Sequence, residues 1–415
     1  MSTPPGTHAS QRARTAVYAA FILNGFAFAS WVSRIPATRA ELDLSSSALG
    51  LLLLALSAGA VIAMPLAGAV VMRIGPARTV LAGAAAVAVG TGTVALALAA
   101  LPSPLLVAAG LFVQGAGTSA WDVAMNVEGA DVERRLGRAL MPRFHAGYSL
   151  GTVLAAGAGS ALIALGVPAA PHLAAVGVLA LAATALAVRA FLPVAGPSAP
   201  QGDDPTPAGL GLRAAWREPR TLLLGLMVCA MAFVEGTAND WIAVAMVDEQ
   251  GHRTSEAVGV LGFAAFVTAM TVCRVLGPQI LDRIGRVPAL RGCAVLAVAG
   301  VLLFALGSGT GPVLLGAVLW GVGAALGFPL GMSAAADEPH AAAARVSVVS
   351  SVAYTAFLAG PPLVGVLGDH VGILRAVLVA AGVAAVALLL AQTARPPARS
   401  GVPGAAQPLP GTPPG

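Results

Sequence analysis

The chain has 415 residues, 57% of them hydrophobic and only 10% charged, with a mean hydropathy of +0.85. A water-soluble domain carries about 25% charged residues, so this composition excludes one and points to an all-α membrane protein set in a lipid bilayer. The formal net charge of +5 comes from arginine alone, because the sequence has no lysine; it follows membrane topology, as set out below, and does not imply nucleic acid.

Residues 1–14 are polar and read as a disordered cytoplasmic tail. Apolar runs then follow at 16–33, 48–72, 79–101, 105–127, 144–165 and 174–192. The link 193–219 is rich in Pro and Gly and holds Asp203 and Asp204. Six more runs lie at 222–247, 258–281, 289–306, 313–335, 346–367 and 373–392. Most are near the ~20 residues that a spanning helix needs. The expected organisation is a six-helix bundle at 15–192, the link, a second bundle at 220–393, and a disordered cytoplasmic tail at 394–415.

The first run offers Asn24 and Trp31. The fourth begins apolar and then brings Gln114, Thr118, Asp122 and Asn126 at steps of four, along one slowly rotating helical stripe. A carboxyl at the centre of a spanning helix costs about 2.5–3.5 kcal/mol on insertion scales. It is tolerated where it faces a protein interior or a water-filled cavity. Asp122 is therefore a proton-coupling candidate; the same position also fits a hydrogen-bonded structural acid. Glu128 lies nearer the end of this run and begins a mixed-charge segment with Asp131, Glu133, Arg134 and Arg135. Such runs are usually solvated faces. His145 and Tyr148 open the fifth run. In the seventh, Glu235 and Asn239 share a helix face, with Asp240 and Trp241 after them. Glu235 and Asp240 join the proton-coupling candidates. Arg274 is the one basic residue set inside a run rather than at its end. It stays protonated and must pair, snorkel or hold an anionic ligand; Glu235 and Asp240 on the preceding helix are candidate partners. Asp337 and Glu338 are expected to meet Arg345, and Tyr354 falls in the eleventh run. Asn24, Trp31, Gln114, Thr118, Asn126, Tyr148, Asn239, Trp241, Arg274 and Tyr354 make up the candidate cavity lining. Trp31 and Trp241 also suit interfacial anchors.

Arginine placement sets the orientation. With both termini cytoplasmic, the outer segments hold only Arg34, Arg39, Arg253 and Arg375, and Arg274 is intramembrane, leaving 18 of the 23 arginines on the inner side. That is the positive-inside bias, and it predicts a multi-pass protein of the cell membrane. The halves also repeat. MRIG at 72–75 recurs as DRIG at 282–285, and Gly68, Trp31, Gly115 and Tyr148 recur as Gly277, Trp241, Gly321 and Tyr354, at offsets of 206–210 residues. Parallel six-helix repeats with a midplane site between them are a transporter architecture.

At these loops the chain resembles the major facilitator superfamily, whose pattern is G-x-x-x-D-R-x-G-R. The second half keeps Asp282, Arg283, Gly285 and Arg286, with Gly277 displaced by one. The first keeps Gly68, Arg73 and Gly75 but has Met72 for the Asp and Pro76 for the last Arg. The resemblance implies that these loops gate the carrier, their Asp and Arg latching helices together. The runs MNVEGADVERRLGRALMPRFHAGYSLG (125–151) and EGTANDW (235–241) are similar to a poorly characterised bacterial subgroup, distantly related to fucose-type sugar:proton symporters. Those use carboxylates on the first and fourth helices, where this chain has Asn24, and Asp122 with Glu128. The Gly-Pro motif that exporters carry on the fifth helix is absent; Gly360, Pro361 and Pro362 lie in the eleventh.

No nucleotide-binding, hydrolase or metal-ligand spacing appears, and the three cysteines fit neither a disulfide framework nor a metal site. The chain is read as a non-enzymatic, monomeric secondary transporter without cofactor. It would move a small polar or amphipathic solute, with the proton as coupling ion, by alternating access. The alternatives are a proton-antiport exporter of a drug or secondary metabolite, and a non-transporting sensor or scaffold with the same fold.

Overall fold

The structure, a computed structural model, describes residues 5–137, 140–192, 211–248, 252–338 and 341–396. Most of the expected link and second tail therefore lies outside the described residues. Among those described there is helix and turn but no strand.

Twelve long helical segments follow one another. The first half comprises α1 (Pro5–Val32), α2 (Ser46–Ile74), α3 (Pro76–Ala99), α4 (Pro104–Leu136), α5 (Met141–Ala164) and α6 (Ala169–Ala187). The second comprises α7 (Pro219–Val247), α8 (Glu256–Ile284), α9 (Arg286–Leu306), α10 (Thr310–Ala335), α11 (Ala342–Val371) and α12 (Ile373–Ala394). Eleven are long and apolar enough to cross a membrane by composition. The twelfth, α4, runs for 33 residues, and the acids of its second half dilute its hydropathy. One boundary is corrected: helix begins at Pro5, so most of the expected tail 1–14 extends α1. Ala13, Ala16 and Val17 are buried there in one cluster with Val132 and Phe144, which holds the extension in place.

The repeat is visible in backbone geometry. Gly75 and Gly285 end α2 and α8 with φ of 83° and 78°, a region that side chains disfavour. Gly115 and Gly321 are where α4 crosses α2 and α10 crosses α8. A Cβ there would lie 2.0 Å from Leu56 O and 2.2 Å from Phe266 O, so only glycine admits both crossings.

The two ends of the bundle differ. At the end carrying residues 34–46, contacts join the halves. Arg39, on the short helix Ile35–Glu41, pairs with Asp248 beyond α7. Asp369 of α11 accepts hydrogen bonds from the Ser46 and Ser47 amides at 2.7 and 3.0 Å, capping α2 from the other half. Ser160 Oγ of α5 donates to Ala257 O of α8 at 2.9 Å. Gly50 lies so near α11 that a Cβ would come within 2.6 Å of Pro361 O.

At the arginine-rich end, the ion pairs among the described residues stay within one half. Arg286 grips Asp337 through two nitrogens at 2.9 and 3.0 Å. Arg345 grips Glu218 at 2.7 Å twice and reaches Glu338 at 3.1 Å. Glu133 accepts from the Leu140 and Met141 amides at the start of α5, at 2.5 and 2.8 Å. The expected latch is not formed as the resemblance implied. Asp282 and Arg283 are exposed and make no ion pair among the described residues, whereas Arg286 of that loop pairs with Asp337. Arg73 is likewise exposed. Gly68 faces open space.

Candidate functional site

α7 brings Glu235 to the inside of the second half because its other faces are packed: Met231, Val234, Ala238 and Trp241 are buried around it. Arg274 of α8 lies opposite. Its Nη2 donates to Glu235 Oε2 at 2.8 Å and its Nε to Ala325 O at 2.9 Å. The second bond has a structural cause. α10 is interrupted between Ala324 and Gly327, which frees a backbone carbonyl that a guanidinium can satisfy. Breaks of this kind line binding sites in transporters. The Arg274 and Glu235 side chains keep 32% and 17% of their surface. The pair is therefore only partly desolvated, and Nη1 of Arg274 has no protein partner.

Asp122 of α4 approaches from the first half. Its only described hydrogen bond is local: Asn126 Nδ2 reaches Asp122 Oδ1 at 3.3 Å and Asp122 O at 2.8 Å. No cation among the described residues pairs with it. Both residues are half-buried. Asp122, Glu235 and Arg274 all lie within electrostatic reach of the Tyr148 phenol on α5, and Asp122 also reaches Tyr354 on α11. These five residues, drawn from both halves, make up the candidate site. His145 is exposed, within reach of Arg274, with its ring edge-on to Phe21 at 5.2 Å. The two grooves elsewhere, of about 390 and 600 Å³, are lined by none of these acids.

Several expected members do not join this site. Gln114 is 0% exposed with neither amide atom bonded, and its Cβ abuts Gly90 of α3. Steps of four advance 40° beyond a full turn each time, and over eight residues that drift carries Gln114 away from Asp122. Trp31 and Trp241 are buried, neither lining the space nor anchoring at an interface. Asn24 is buried and donates to Thr118 O at 3.3 Å, so that pair fastens α1 to α4. Glu128 is buried and accepts from the Leu192 amide at 2.6 Å, closing the chain that leaves α6. Asp240 is half-buried and forms no ion pair among the described residues. Asn239 is half-buried on the Glu235 face and forms no described hydrogen bond.

Other residues escaped the sequence reading. Asp248 and Asp369 join the halves across long sequence separations that carry no local signal. The Ser45, Ser46, Ser47 run did announce a helix start, and Ser45 Oγ does accept from Ala48 N at 3.1 Å. Gly327 and Pro329 announced the break in α10.

The comparisons agree with this architecture. The uncharacterized transporter y4wD of Sinorhizobium fredii is 33% identical over 355 residues, covering 85% of this chain and 90% of the relative. Three solved structures share the fold. A point mutant of the nucleoside transporter NupG gives a TM-score of 0.73 at 16% identity, over 92% of this chain and 99% of that one. A bacterial homologue of the human lysosomal transporter Spinster, inward-facing and unoccupied, gives 0.71 at 15% identity, over 94% and 98%. The transporter FucP in its outward conformation gives 0.58 at 18%, over 92% and 98%. The family model for the Major Facilitator Superfamily matches residues 17–354. With that match over most of its length and a 33% identical relative, this chain belongs to the Major Facilitator Superfamily of multi-pass membrane transporters.

Proposed function

We propose that the protein is a monomeric, proton-coupled secondary transporter of the cell membrane, with both termini cytoplasmic, carrying a small polar or amphipathic solute. On this reading the arginine-rich end is cytoplasmic. The contacts that join the halves are then all extracellular, and the state is inward-facing.

One observation carries the coupling: a Glu235–Arg274 pair between α7 and α8 whose side chains keep part of their surface accessible. A solute that engages Arg274 draws it from Glu235. The released carboxyl, in low-dielectric surroundings, then takes a proton. A neutral Glu235 no longer holds Arg274, and through it Ala325 at the break of α10, so protonation is tied to helix movement. Asp122 on α4, bonded to Asn126, is the second candidate acid.

The test uses liposomes containing the purified protein, a trapped pH dye and an imposed proton gradient. Solutes carried with protons dissipate the gradient. Glu235→Gln stops that dissipation while leaving solute exchange measurable. Unchanged proton flux in Glu235→Gln removes the coupling assignment.

A further inference from the structure

At the outer end of the bundle a buried cation is held by a neutral ring. Arg34 follows α1 and His172 lies in the first turn of α6, and they are 2% and 5% exposed. Arg34 Nε donates to His172 Nδ1 at 2.8 Å. An accepting Nδ1 carries no proton, so the imidazole is neutral in this state. Arg34 Nη2 is buried without a partner. The arginines of the other end are held differently, Arg286 and Arg345 each gripping a carboxylate through two nitrogens. The Arg34–His172 bond also anchors the clasp between the halves. Arg34 O accepts from the Thr38 amide and hydroxyl, both at 2.9 Å, and so starts the short helix Ile35–Glu41. That helix carries Arg39, which pairs with Asp248 of the second half. It is therefore tied to α6 through His172 and to the second half through Asp248.

We infer that His172 is a proton-binding site of this outer clasp: a proton taken up at Nδ1 breaks the Arg34 hydrogen bond, frees the short helix and loosens the contact between the halves at Asp248. This rests on the proposed transport function in one respect, that the carrier alternates between two states, and it adds a site separate from Glu235. Arg34 stays protonated and has only donors to offer. A protonated imidazole is donor-only as well, so the two can no longer bond, and two buried like charges at that separation repel. One of them must move. No acid on the packed helices compensates. The ionisable residues of α1 (His8, Arg12, Arg14 and Tyr18) and of α3 (Arg78), which pack along α6, lie toward the opposite end, as does Arg189 beyond α6. Glu41 of the short helix and Glu256 of α8 act on Arg34. Both do so already in this state, and neither has taken the guanidinium from the neutral ring.

The experiment reads the outer end by spin-label distances in the full-length protein in lipid nanodiscs. Labels are attached at Leu101→Cys and Leu306→Cys, exposed at the outer ends of α3 and α9, while the native cysteines are buried or half-buried. Distances are measured at about pH 8 and about pH 5, on either side of the ordinary histidine value near 6.5. On acidification the long-distance fraction should grow about threefold or more. His172→Asn, whose Oδ1 accepts from Arg34 Nε but takes no proton, should hold the short distance at both pH values. Arg34→Gln should show the long fraction at both. No growth in the otherwise wild-type protein overturns the site, whether or not a variant folds. Undiminished growth in His172→Asn overturns it too, by putting the proton elsewhere. So does a shorter distance in acid, the sign of Arg34 passing to Glu256 of the other half. Proton flux in liposomes with no acid response at the outer end defeats this site and leaves the coupling at Glu235 standing; an acid response without proton flux does the reverse.

Discussion

The two halves share a scaffold but not a chemistry. Their loops turn on matched glycines, Gly75 and Gly285, and their second and fourth helices cross at matched glycines, Gly115 and Gly321. The charges at the site are not matched. The register that superposes Gly68 on Gly277 sets Pro65 opposite Arg274, and the one that superposes Trp31 on Trp241 sets Gly25 opposite Glu235. The register of Gly115 on Gly321 sets Phe328 opposite Asp122. The first half contributes a lone acid, the second a bonded pair. Duplication accounts for positions that hold backbones at a fixed distance. It places no such demand on side chains facing the space between them, where each half was free to differ.

The sharpest way to break this comparison is to remove the two acids separately. Glu235→Gln leaves a partly buried guanidinium without its partner. It should lower the melting temperature and end proton-driven accumulation. Asp122→Asn removes an acid with no ion pair, so it should stabilise the fold or leave it unchanged. The double change Glu235→Gln with Arg274→Gln should recover much of the lost stability, with a coupling of about 1–3 kcal/mol in a double-mutant cycle. Equal destabilisation by Asp122→Asn and Glu235→Gln would mean that the halves do not differ as described.

The shared scaffold makes the opposite demand. Gly115→Ala and Gly321→Ala should each destabilise by about 1–3 kcal/mol, the range for overpacking, and by similar amounts, as read from denaturation in detergent. A large difference between them would show that the crossings are not equivalent.

The ends of the bundle give a smaller effect. Asp369→Asn weakens a helix cap that one half supplies to the other, at a cost of about 1 kcal/mol. Because that contact joins the halves, the change should lengthen the mean distance between spin labels placed on the two halves at that end. Asp337→Asn, which disturbs pairs within one half, should leave the distance unchanged.

The smallest effect lies at Glu218, outside the spanning segments. Burial raises its carboxyl, but hydrogen bonds from Arg345 and Thr221 more than offset this and hold it below its ordinary value of 4.5. A depressed carboxyl stabilises the fold above its unfolded pKa, and that contribution fades as pH falls below about 4.5. Glu218 is partly exposed, so solvent screening keeps the contribution small. Glu218→Gln should lower the melting temperature slightly at pH 7 and remove part of its decline under acid.

Much of the fold was legible in the sequence because its signals are local. Apolar runs of spanning length, Ser45 before α2 and the glycines of the 72–75 and 282–285 loops each act within one or two turns of chain. The site was legible in part. An arginine inside a span needs a partner, and Glu235 on the preceding helix is the one it takes. Gln114 and Trp31 were misassigned because a polar or aromatic residue on a helix carries no mark of which neighbour it will face. The bonds at Asp248 and Asp369 were unreadable for the same reason: each joins segments separated by more than two hundred residues.

By itself the sequence determined that the chain spans a membrane in two matched bundles, because apolar length and arginine distribution act on each segment against the bilayer independently of the others. Only the tertiary structure decided which polar groups share a space. Helix rotation and the closeness of crossings set which way a side chain points, and both follow from packing between segments. That packing set Arg274 on Glu235 and Ala325, left Asp122 with Asn126, and buried Gln114 and Glu128.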